Sequence, residues 1–276
     1  MQSTALIDGI PADASFVRER AFQFGDGLFE TIAIRDGQPC LWSAHLSRLQ
    51  LGCSRLRLPA PDPDVLLAEC RMLADSRQRA VIKIYVTAGV SARGYRRPEI
   101  AAARRVLEVH PWVDGDDARA WNARFCTYLL SENAHLAGIK HLNRLDQVLA
   151  RSEWSDDDID EGIVCAQDGR VVSGTMSNLF LQKGSQLVTP RIDSSGIAGV
   201  VRNLVLEIGI RSGRPVAEAR VEKSQLPAAD AVFVSNSLIG IKRLRRIDDV
   251  VFDTEVAEHP VLLEARIRCH QPLEPA

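Results

Sequence analysis

The sequence lacks the features that would link it to a membrane, to secretion or to nucleic acid. No apolar run approaches the ~20 residues that a membrane-spanning helix needs, and residues 1–5 have neither the basic nor the apolar region of a signal peptide. The net charge is only −2, whereas nucleic-acid phosphates are bound by clustered positive charge. We therefore expect a cytoplasmic protein that binds neither a membrane nor nucleic acid.

Patterns typical of disulfide frameworks and metal sites are also missing. The sequence has six cysteines, but none forms a C-x-x-C pair and their spacing does not match that of metal ligands. Free cysteine is among the most buried residue types. We therefore expect reduced, buried thiols at Cys40, Cys53, Cys70, Cys126, Cys165 and Cys269.

The length of 276 residues predicts one large domain or two modest ones. Residues 112–122 are polar and turn-rich, which favours a connection between a small α/β domain (1–111) and a larger domain (123–276). Hydrophobic periodicity predicts a mixed α+β fold in two lobes. The predicted strands are 4–8, 28–34, 80–88, 104–110, 124–130, 162–166, 170–173, 178–182, 186–189 and 231–234. The predicted helices begin at Ser43, where Leu46, Leu49 and Leu51 are spaced for one face, and cover 63–76, 143–154 and 199–210.

Lysine is scarce, and one of the five lysines has the setting of a reactive amine. Lys183 lies in a predicted turn, and Lys223 and Lys242 lie in charged segments, so we expect all three to be solvated. Lys83 lies in a strand and could face either side. Lys140 follows a strand-like end and precedes a helix. A lysine that forms a Schiff base must be partly deprotonated, which burial and neighbouring cations promote, and Lys140 is the candidate.

Two segments have the character of an anion site. Residues 194–202 (SSGIAGVVR) form a small-residue loop that leads into a predicted helix, and the free N–H groups of such a helix start attract phosphate. An ordinary capped helix is the alternative. Ser235, Asn236 and Ser237 follow a buried strand and offer hydroxyl and amide groups, although they are also typical of a turn.

Five ordered motifs resemble those of the fold-type IV pyridoxal-phosphate family, which includes D-amino-acid aminotransferases, branched-chain aminotransferases and aminodeoxychorismate lyases. The resemblance extends over nearly the whole chain. The motifs are QFGDGLFET at 23–31, AHLSRL at 44–49, KHLNRL at 140–145, GTMSNLF at 174–180 and GVVR at 199–202.

The resemblance implies a pyridoxal 5'-phosphate cofactor in a two-domain homodimer whose site lies near the subunit interface. It implies that Lys140 forms the Schiff base with the cofactor and that Arg48 holds its phosphate. The amides of Val200 and Val201 correspond to the phosphate cup at the helix start. Residues 235–237 border the phosphate, and the resemblance does not say which of the three donates to it.

Within the family, two segments are similar to the lyases: RGY at 93–95, after GVSA, and GIKHLNRL at 138–145. They imply conversion of 4-amino-4-deoxychorismate to 4-aminobenzoate and pyruvate in folate biosynthesis, with Lys140 as the proton-abstracting base. Arg93 would pair with a substrate carboxylate, with a solvated loop arginine as the alternative. Tyr95 and Thr31 would orient the substrate, although strand packing would also explain Thr31. The rival activity is that of a D-amino-acid or branched-chain aminotransferase.

Ser173 departs from the family pattern, which generally has a glutamate at this position. That glutamate keeps the pyridine nitrogen of the cofactor protonated and so strengthens the ring as an electron sink. A serine can only form a hydrogen bond to this nitrogen. We expect amino-group transfer to suffer more than the lyase reaction, which is helped by formation of an aromatic product.

Overall fold

The computed structural model describes residues 5–8, 10–12, 17–91, 93–98, 103–112 and 119–273. Residues 113–118, most of the predicted interdomain connection, lie outside the described residues, as does residue 4, the first of the predicted strand 4–8. The described chain mixes helices and strands, which confirms the α+β class. No helix in these ranges has both the length and the apolar character needed to cross a membrane.

The helices are short, and most lie against one face of a sheet. Their bounds are Arg20–Phe24 (α1), Trp42–Leu56 (α2), Pro63–Ala74 (α3), Leu145–Arg151 (α4), Val200–Arg211 (α5) and Pro260–Arg268 (α6), with a 3-10 helix at Lys223–Ala228. The predicted helix 143–154 is therefore shorter than expected at both ends. Helix α6 was not predicted.

The N-terminal part of the chain forms a four-stranded antiparallel sheet. Its strands are Gly27–Arg35 (β3), Gln38–Pro39 (β4), Arg79–Thr87 (β5) and Arg104–Pro111 (β6), in the order β4-β3-β5-β6. Ala5–Ile7 (β1) and Ile10–Ala12 (β2) form a separate hairpin. The predicted turn after β3 is confirmed: Asp36 and Gly37 both have positive φ, 49° and 72°, as a tight hairpin turn requires.

Helix α2 packs on β3 through a stripe that differs from the predicted one. His45, Leu49 and Gly52 are buried on the stripe, while Leu51 is exposed. Gly52 is needed there because a Cβ at this position would lie 2.7 Å from the Leu28 side chain. The prediction that Leu51 shares the buried face is wrong. The buried face is the one on which Gly52 lets the helix approach the sheet, and the spacing of the leucines does not identify it.

The C-terminal part of the chain forms a ten-stranded mixed sheet. Its strands are Trp121–Leu130 (β7), Glu161–Ala166 (β8), Arg170–Gly174 (β9), Asn178–Lys183 (β10), Gln186–Pro190 (β11), Ala217–Ala219 (β12), Val221–Glu222 (β13), Ala231–Asn236 (β14), Gly240–Ile247 (β15) and Val250–Val251 (β16). The order is β12-β11-β10-β14-β15-β7-β8-β9-β13, with β16 beside β15. Helices α5 and α6 cover one face and bury Phe180 and Phe233 beneath them.

Lys242 lies in strand β15, and the prediction that it is solvated is wrong. The segment KRLRR reads as a solvated, charged stretch, yet Lys242 is buried and Ile241, Leu244 and Ile247 lie in the core. A register shift where β15 pairs with β7 breaks the two-residue alternation that identifies a strand. All six cysteines are free and buried, as predicted.

Candidate active site

A cavity of about 680 Å³ lies between the two sheets, and residues distant in sequence line it. It contains most of the predicted site residues: Lys140, Arg48, Ser173, Val200, Ser235, Asn236 and Ser237. Val201 is buried in the core behind Val200 and does not line the cavity. Helix α4 and the turn between β9 and β10 complete the wall.

Lys140 is held in place by backbone pairing with the start of β3. The Phe29 N–H donates to the Lys140 carbonyl at 2.9 Å, and the Leu142 N–H donates to the Gly27 carbonyl at 3.0 Å. Gly27 permits this approach, since a Cβ there would lie 2.5 Å from the Val86 carbonyl oxygen. The Lys140 Nζ lies 4.3 Å from the centre of the Phe29 ring.

The surroundings of Lys140 favour its neutral amine. Burial, together with the positive charges of Arg48 and Arg144, lowers the pKa of Lys140 from 10.5 to about 7, although Glu30 acts in the opposite direction. About half of these amines are therefore neutral near pH 7. Such an amine can act as a nucleophile or as a general base at physiological pH.

Arg48 is positioned by a buried carboxylate that the sequence analysis did not identify. The Arg48 Nε and Nη2 donate to the two oxygens of Glu30 at 2.8 and 2.5 Å, and the Arg48 Nη1 donates to the Ala198 carbonyl at 3.1 Å. His45 Nδ1 lies 2.6 Å from Glu30 Oε2. Burial opposes ionisation of Glu30, but Arg48 and His45 outweigh it and lower its pKa to about 2. Two of the five N–H groups of Arg48 remain for a ligand.

The start of α5 forms an anion cradle at one end of the cavity. Asn178 Nδ2 donates to the Ile197 carbonyl at 2.9 Å, and the Gly199 N–H donates to Asn178 Oδ1 at 3.0 Å. This clamp holds the loop at the start of α5, where Gly199 and Val200 line the cavity. Gly199 is required because a Cβ there would lie 2.0 Å from Asn178 Oδ1.

Ser235 and Asn236 end β14 and Ser237 follows it, and of the three only Ser235 has a buried side-chain group without a hydrogen-bond partner in the described chain. Its Oγ is buried, has no hydrogen-bond partner in the described chain, and belongs to a residue that lines the cavity. Ser237 Oγ donates to the Thr31 carbonyl at 2.7 Å. Asn236 Oδ1 accepts from the N–H groups of Leu238 and Ile239. A buried hydroxyl without a partner is costly, so Ser235 is the residue that a bound anion would satisfy.

Ser173 also lines the cavity and lies in β9, just before the turn to β10. Its Oγ donates to the Gly174 carbonyl at 2.8 Å. The nearby carboxylate of Glu161 is fully buried and accepts from the hydroxyls of Thr175 and Ser177, both at 2.6 Å. Burial raises the pKa of Glu161 despite these bonds. Glu161 therefore shapes the turn without lining the cavity itself.

The cavity is strongly cationic. Arg48, Lys140, Arg144 and Arg151 line it, and none of the described lining residues is acidic. A concave site with four cations and free helix N–H groups is suited to a ligand that carries several negative charges.

The three predicted substrate residues do not line the cavity of this protomer. Thr31 only contributes its carbonyl to Ser237. Arg93 and Tyr95 lie on the surface, where Tyr95 is 86% exposed. The Tyr95 ring lies 5.3 Å from that of Phe24, and its carbonyl accepts from Arg20.

The chain also resembles a known protein family over the segments that form the cavity. A sequence profile described as amino-transferase class IV matches residues 27–247, from the start of β3 to the end of β15. The chain belongs to this family. The class IV match includes all the segments that line the cavity.

Two related proteins are similar to this class IV chain over most of its length. The aminodeoxychorismate lyase of Vibrio harveyi is 32% identical over 240 residues, which are 85% of this chain and 88% of that protein. The crystal structure of 4-amino-4-deoxychorismate lyase from Pseudomonas aeruginosa superposes with a TM-score of 0.85 at 40% identity, covering 94% and 96% of the two chains. A hypothetical aminotransferase from Mycobacterium tuberculosis, in its PLP-bound form, shares the fold at 22% identity, with a TM-score of 0.77 over 96% and 95% of the chains.

Proposed function

We propose that this protein is a pyridoxal-phosphate enzyme that converts 4-amino-4-deoxychorismate to 4-aminobenzoate and pyruvate, in folate biosynthesis. The observation that carries the proposal is a buried lysine with a pKa near 7 in a cavity lined by cations and by an anion cradle. Two relatives named as lyases are 32% and 40% identical to the chain, whereas a putative branched-chain-amino-acid aminotransferase is 27% identical and the hypothetical aminotransferase 22%. These values favour the lyase over an aminotransferase.

The residues of the cavity fit the cofactor group by group. Lys140 would bind the cofactor covalently. The amides of Val200 and Val201 at the start of α5, the free Ser235 hydroxyl and Arg48 would hold its phosphate. Ser173 would face the ring nitrogen, where it can offer only a hydroxyl. When bound, pyridoxal phosphate supplies an electron sink for the carbon next to the substrate nitrogen.

The chain itself moves the proton. Once released from the cofactor, the Lys140 amine is partly neutral and can take the proton from the ring carbon that bears the amine. The ether bond to the enolpyruvyl group on the neighbouring carbon then breaks, and the ring becomes aromatic. The three-carbon group takes up a proton and leaves as pyruvate, so atoms balance without an oxidant or a second substrate.

Two properties of the cavity favour the lyase reaction. The substrate carries two carboxylates, and the cofactor adds a phosphate. Together these negative charges match the excess of cations in the wall. A hydroxyl at position 173 would leave a weaker electron sink than a carboxylate, and formation of an aromatic ring compensates for that weakness. An aminotransferase has no such compensation.

We infer that the enzyme is a homodimer, with Arg93 and Tyr95 contributed across the interface. Leu145, Val148 and Leu149 expose the apolar face of α4 beside the cavity, and Leu145 is 67% exposed. Such a patch is suited to a subunit contact. Mixing Lys140→Ala and Arg93→Ala subunits tests the arrangement. If Arg93 acts across the interface, the mixture should regain about one quarter of the wild-type activity, since one site in each mixed dimer is intact. An inactive mixture would place Arg93 outside the partner's site.

A coupled assay tests the activity. A separate synthase generates 4-amino-4-deoxychorismate from chorismate and glutamine, this protein is added, and 4-aminobenzoate and pyruvate are quantified together. The lyase produces both in equal amounts. Exchange of amino groups between D- or branched-chain amino acids and keto acids, without 4-aminobenzoate, would instead establish the aminotransferase.

A further inference from the structure

A second cavity, of about 370 Å³, adjoins the first and contains most of the unsatisfied polar atoms of the site. Arg144, Gln147 and Gly196 line both cavities and so form a shared wall. Four buried side-chain atoms around the second cavity have no hydrogen-bond partner in the described chain: His141 Nδ1, Arg144 Nε, Gln147 Oε1 and Ser195 Oγ. Burying such groups unpaired is costly, and their common location indicates a bound polar group.

The orphaned atoms include several donors. Arginine has no acceptor, so the contact between Arg144 Nη2 and His141 Nε2 leaves the ring proton on His141 Nδ1. Burial and the neighbouring Arg144 lower the pKa of His141 to about 4, so the ring is neutral. The Ser195 hydroxyl can donate as well, and Ser195 is only 6% exposed. Gln147 can turn its amide to present either nitrogen or oxygen.

Arg144 supplies a positive charge that forms no ion pair within the described chain, although the Asp146 carboxylate lies near enough to act on it electrostatically. Its one hydrogen bond is to His141, and burial lowers its pKa to about 10, so it stays charged near neutral pH. Two carboxylates line the second cavity, but both are already bonded. Asp146 accepts from the Tyr128 hydroxyl at 2.7 Å, and Glu132 accepts from Arg170 and from the Ser194 hydroxyl, both at 2.7 Å. The free groups therefore suit an anion, and a planar carboxylate fits the guanidinium best.

We propose that Arg144, with His141 and Ser195, binds the carboxylate of the three-carbon group, first in the substrate and then in the departing pyruvate. The inference rests on the proposed lyase function. Arg144 lies four residues after Lys140 and its charge acts on that amine. The enolpyruvyl group is attached to the carbon next to the one that Lys140 deprotonates, whereas the ring carboxylate lies across the ring. Arg144 lines both the cavity that contains Lys140 and the second cavity, so we expect its guanidinium to bind the leaving group and the second cavity to receive it.

Calorimetric titration of the pyridoxal-phosphate-loaded enzyme with pyruvate tests the site without requiring turnover. Arg144→Gln should weaken pyruvate binding roughly tenfold or more, since a charge-assisted bond is lost. Ser195→Ala should weaken it several-fold, and Arg144→Lys should retain part of the affinity. The matched control is Arg211→Gln, because Arg211 lines neither cavity, and pyruvate affinity should not change. The absorbance of the bound cofactor verifies that each variant is folded and loaded.

Product inhibition gives the second readout. Arg144→Gln should raise the inhibition constant of pyruvate roughly tenfold or more, as for binding, and leave that of 4-aminobenzoate unchanged. The proposal is overturned if the wild-type enzyme does not bind pyruvate, or if Arg144→Gln affects both products equally. It is also overturned if Arg144→Gln shifts only the cofactor absorbance, which would place the guanidinium on a cofactor oxygen. If the wild-type protein forms no 4-aminobenzoate but binds pyruvate, and Arg144→Gln loses that binding, the carboxylate site is retained and the lyase function is rejected.

Discussion

Replacing Lys140 by methionine in the cofactor-free protein should raise its free energy of unfolding near neutral pH. The unfolded chain protonates this amine with a pKa near 10.5, whereas burial and the neighbouring arginines lower the folded-state pKa to about 7. The unfolded state therefore binds more protons between these two values. The lysine destabilises the fold fully below about pH 7, and the penalty disappears as the pH rises towards 10.5.

The size of the effect follows from the two pKa values. Each unit of difference corresponds to about 1.4 kcal/mol, so the full penalty is about 5 kcal/mol and the penalty at pH 7 is about 4 kcal/mol. Between pH 7 and pH 9 it should fall by about 2 kcal/mol. Methionine adds its own packing contribution, but that contribution does not vary with pH.

Urea unfolding of the wild-type and Lys140→Met apoproteins from pH 6 to pH 9 measures the difference. Subtracting the free energy of unfolding of one protein from that of the other at each pH cancels the contributions of the other titrating groups. Lys183→Met serves as the control, because Lys183 is exposed at the end of β10 and should show no pH-dependent difference. A Lys140→Met difference that stays constant over this range would refute the reasoning, since Lys140 would then have the same pKa in both states.

Three further substitutions test the walls of the cavity. Ser173→Glu should raise amino-group exchange relative to lyase turnover in paired assays, and unchanged rates in both would contradict the role given to position 173. Glu30→Gln should lower the free energy of unfolding in urea at pH 7 by roughly 3–5 kcal/mol, because it leaves Arg48 without its buried carboxylate. That difference should shrink as the pH falls from 4.5 towards the Glu30 pKa of about 2, and equal stability at pH 7 would refute the pairing. Gly199→Ala should weaken binding of pyridoxal phosphate, measured by fluorescence titration, roughly tenfold, because its Cβ displaces Asn178 at the phosphate cup; unaltered affinity would exclude the cup.

The sequence predicts those features that depend only on residues close to one another in the chain. The Asp36-Gly37 turn follows from the need for positive φ at both positions. The start of α5 follows from a small-residue loop before an amphipathic run. Lys140 is recognisable because lysines are few and because the family motifs surround it, and its burial agrees with that recognition.

The features that the sequence analysis missed depend on distant residues. Glu30 lies in the middle of an apolar strand, and a charge in such a run is a usable signal of a buried pair, but its partners Arg48 and His45 are supplied by α2. Strand β15 was not recognised in the sequence because its register shift breaks the two-residue alternation of a strand. Arg144 belongs to the family motif at 140–145, but the sequence does not show that its guanidinium forms no ion pair in the described fold.

The most direct test of the central claim compares two lysine variants in a single assay of product stoichiometry. With 4-amino-4-deoxychorismate supplied by a separate synthase, Lys183→Ala should form 4-aminobenzoate and pyruvate in equal amounts at the wild-type rate. Lys183 is exposed at the end of β10 and does not line the cavity. Lys140→Ala should form neither above the uncatalysed background. Substantial formation of both products by Lys140→Ala would contradict the account.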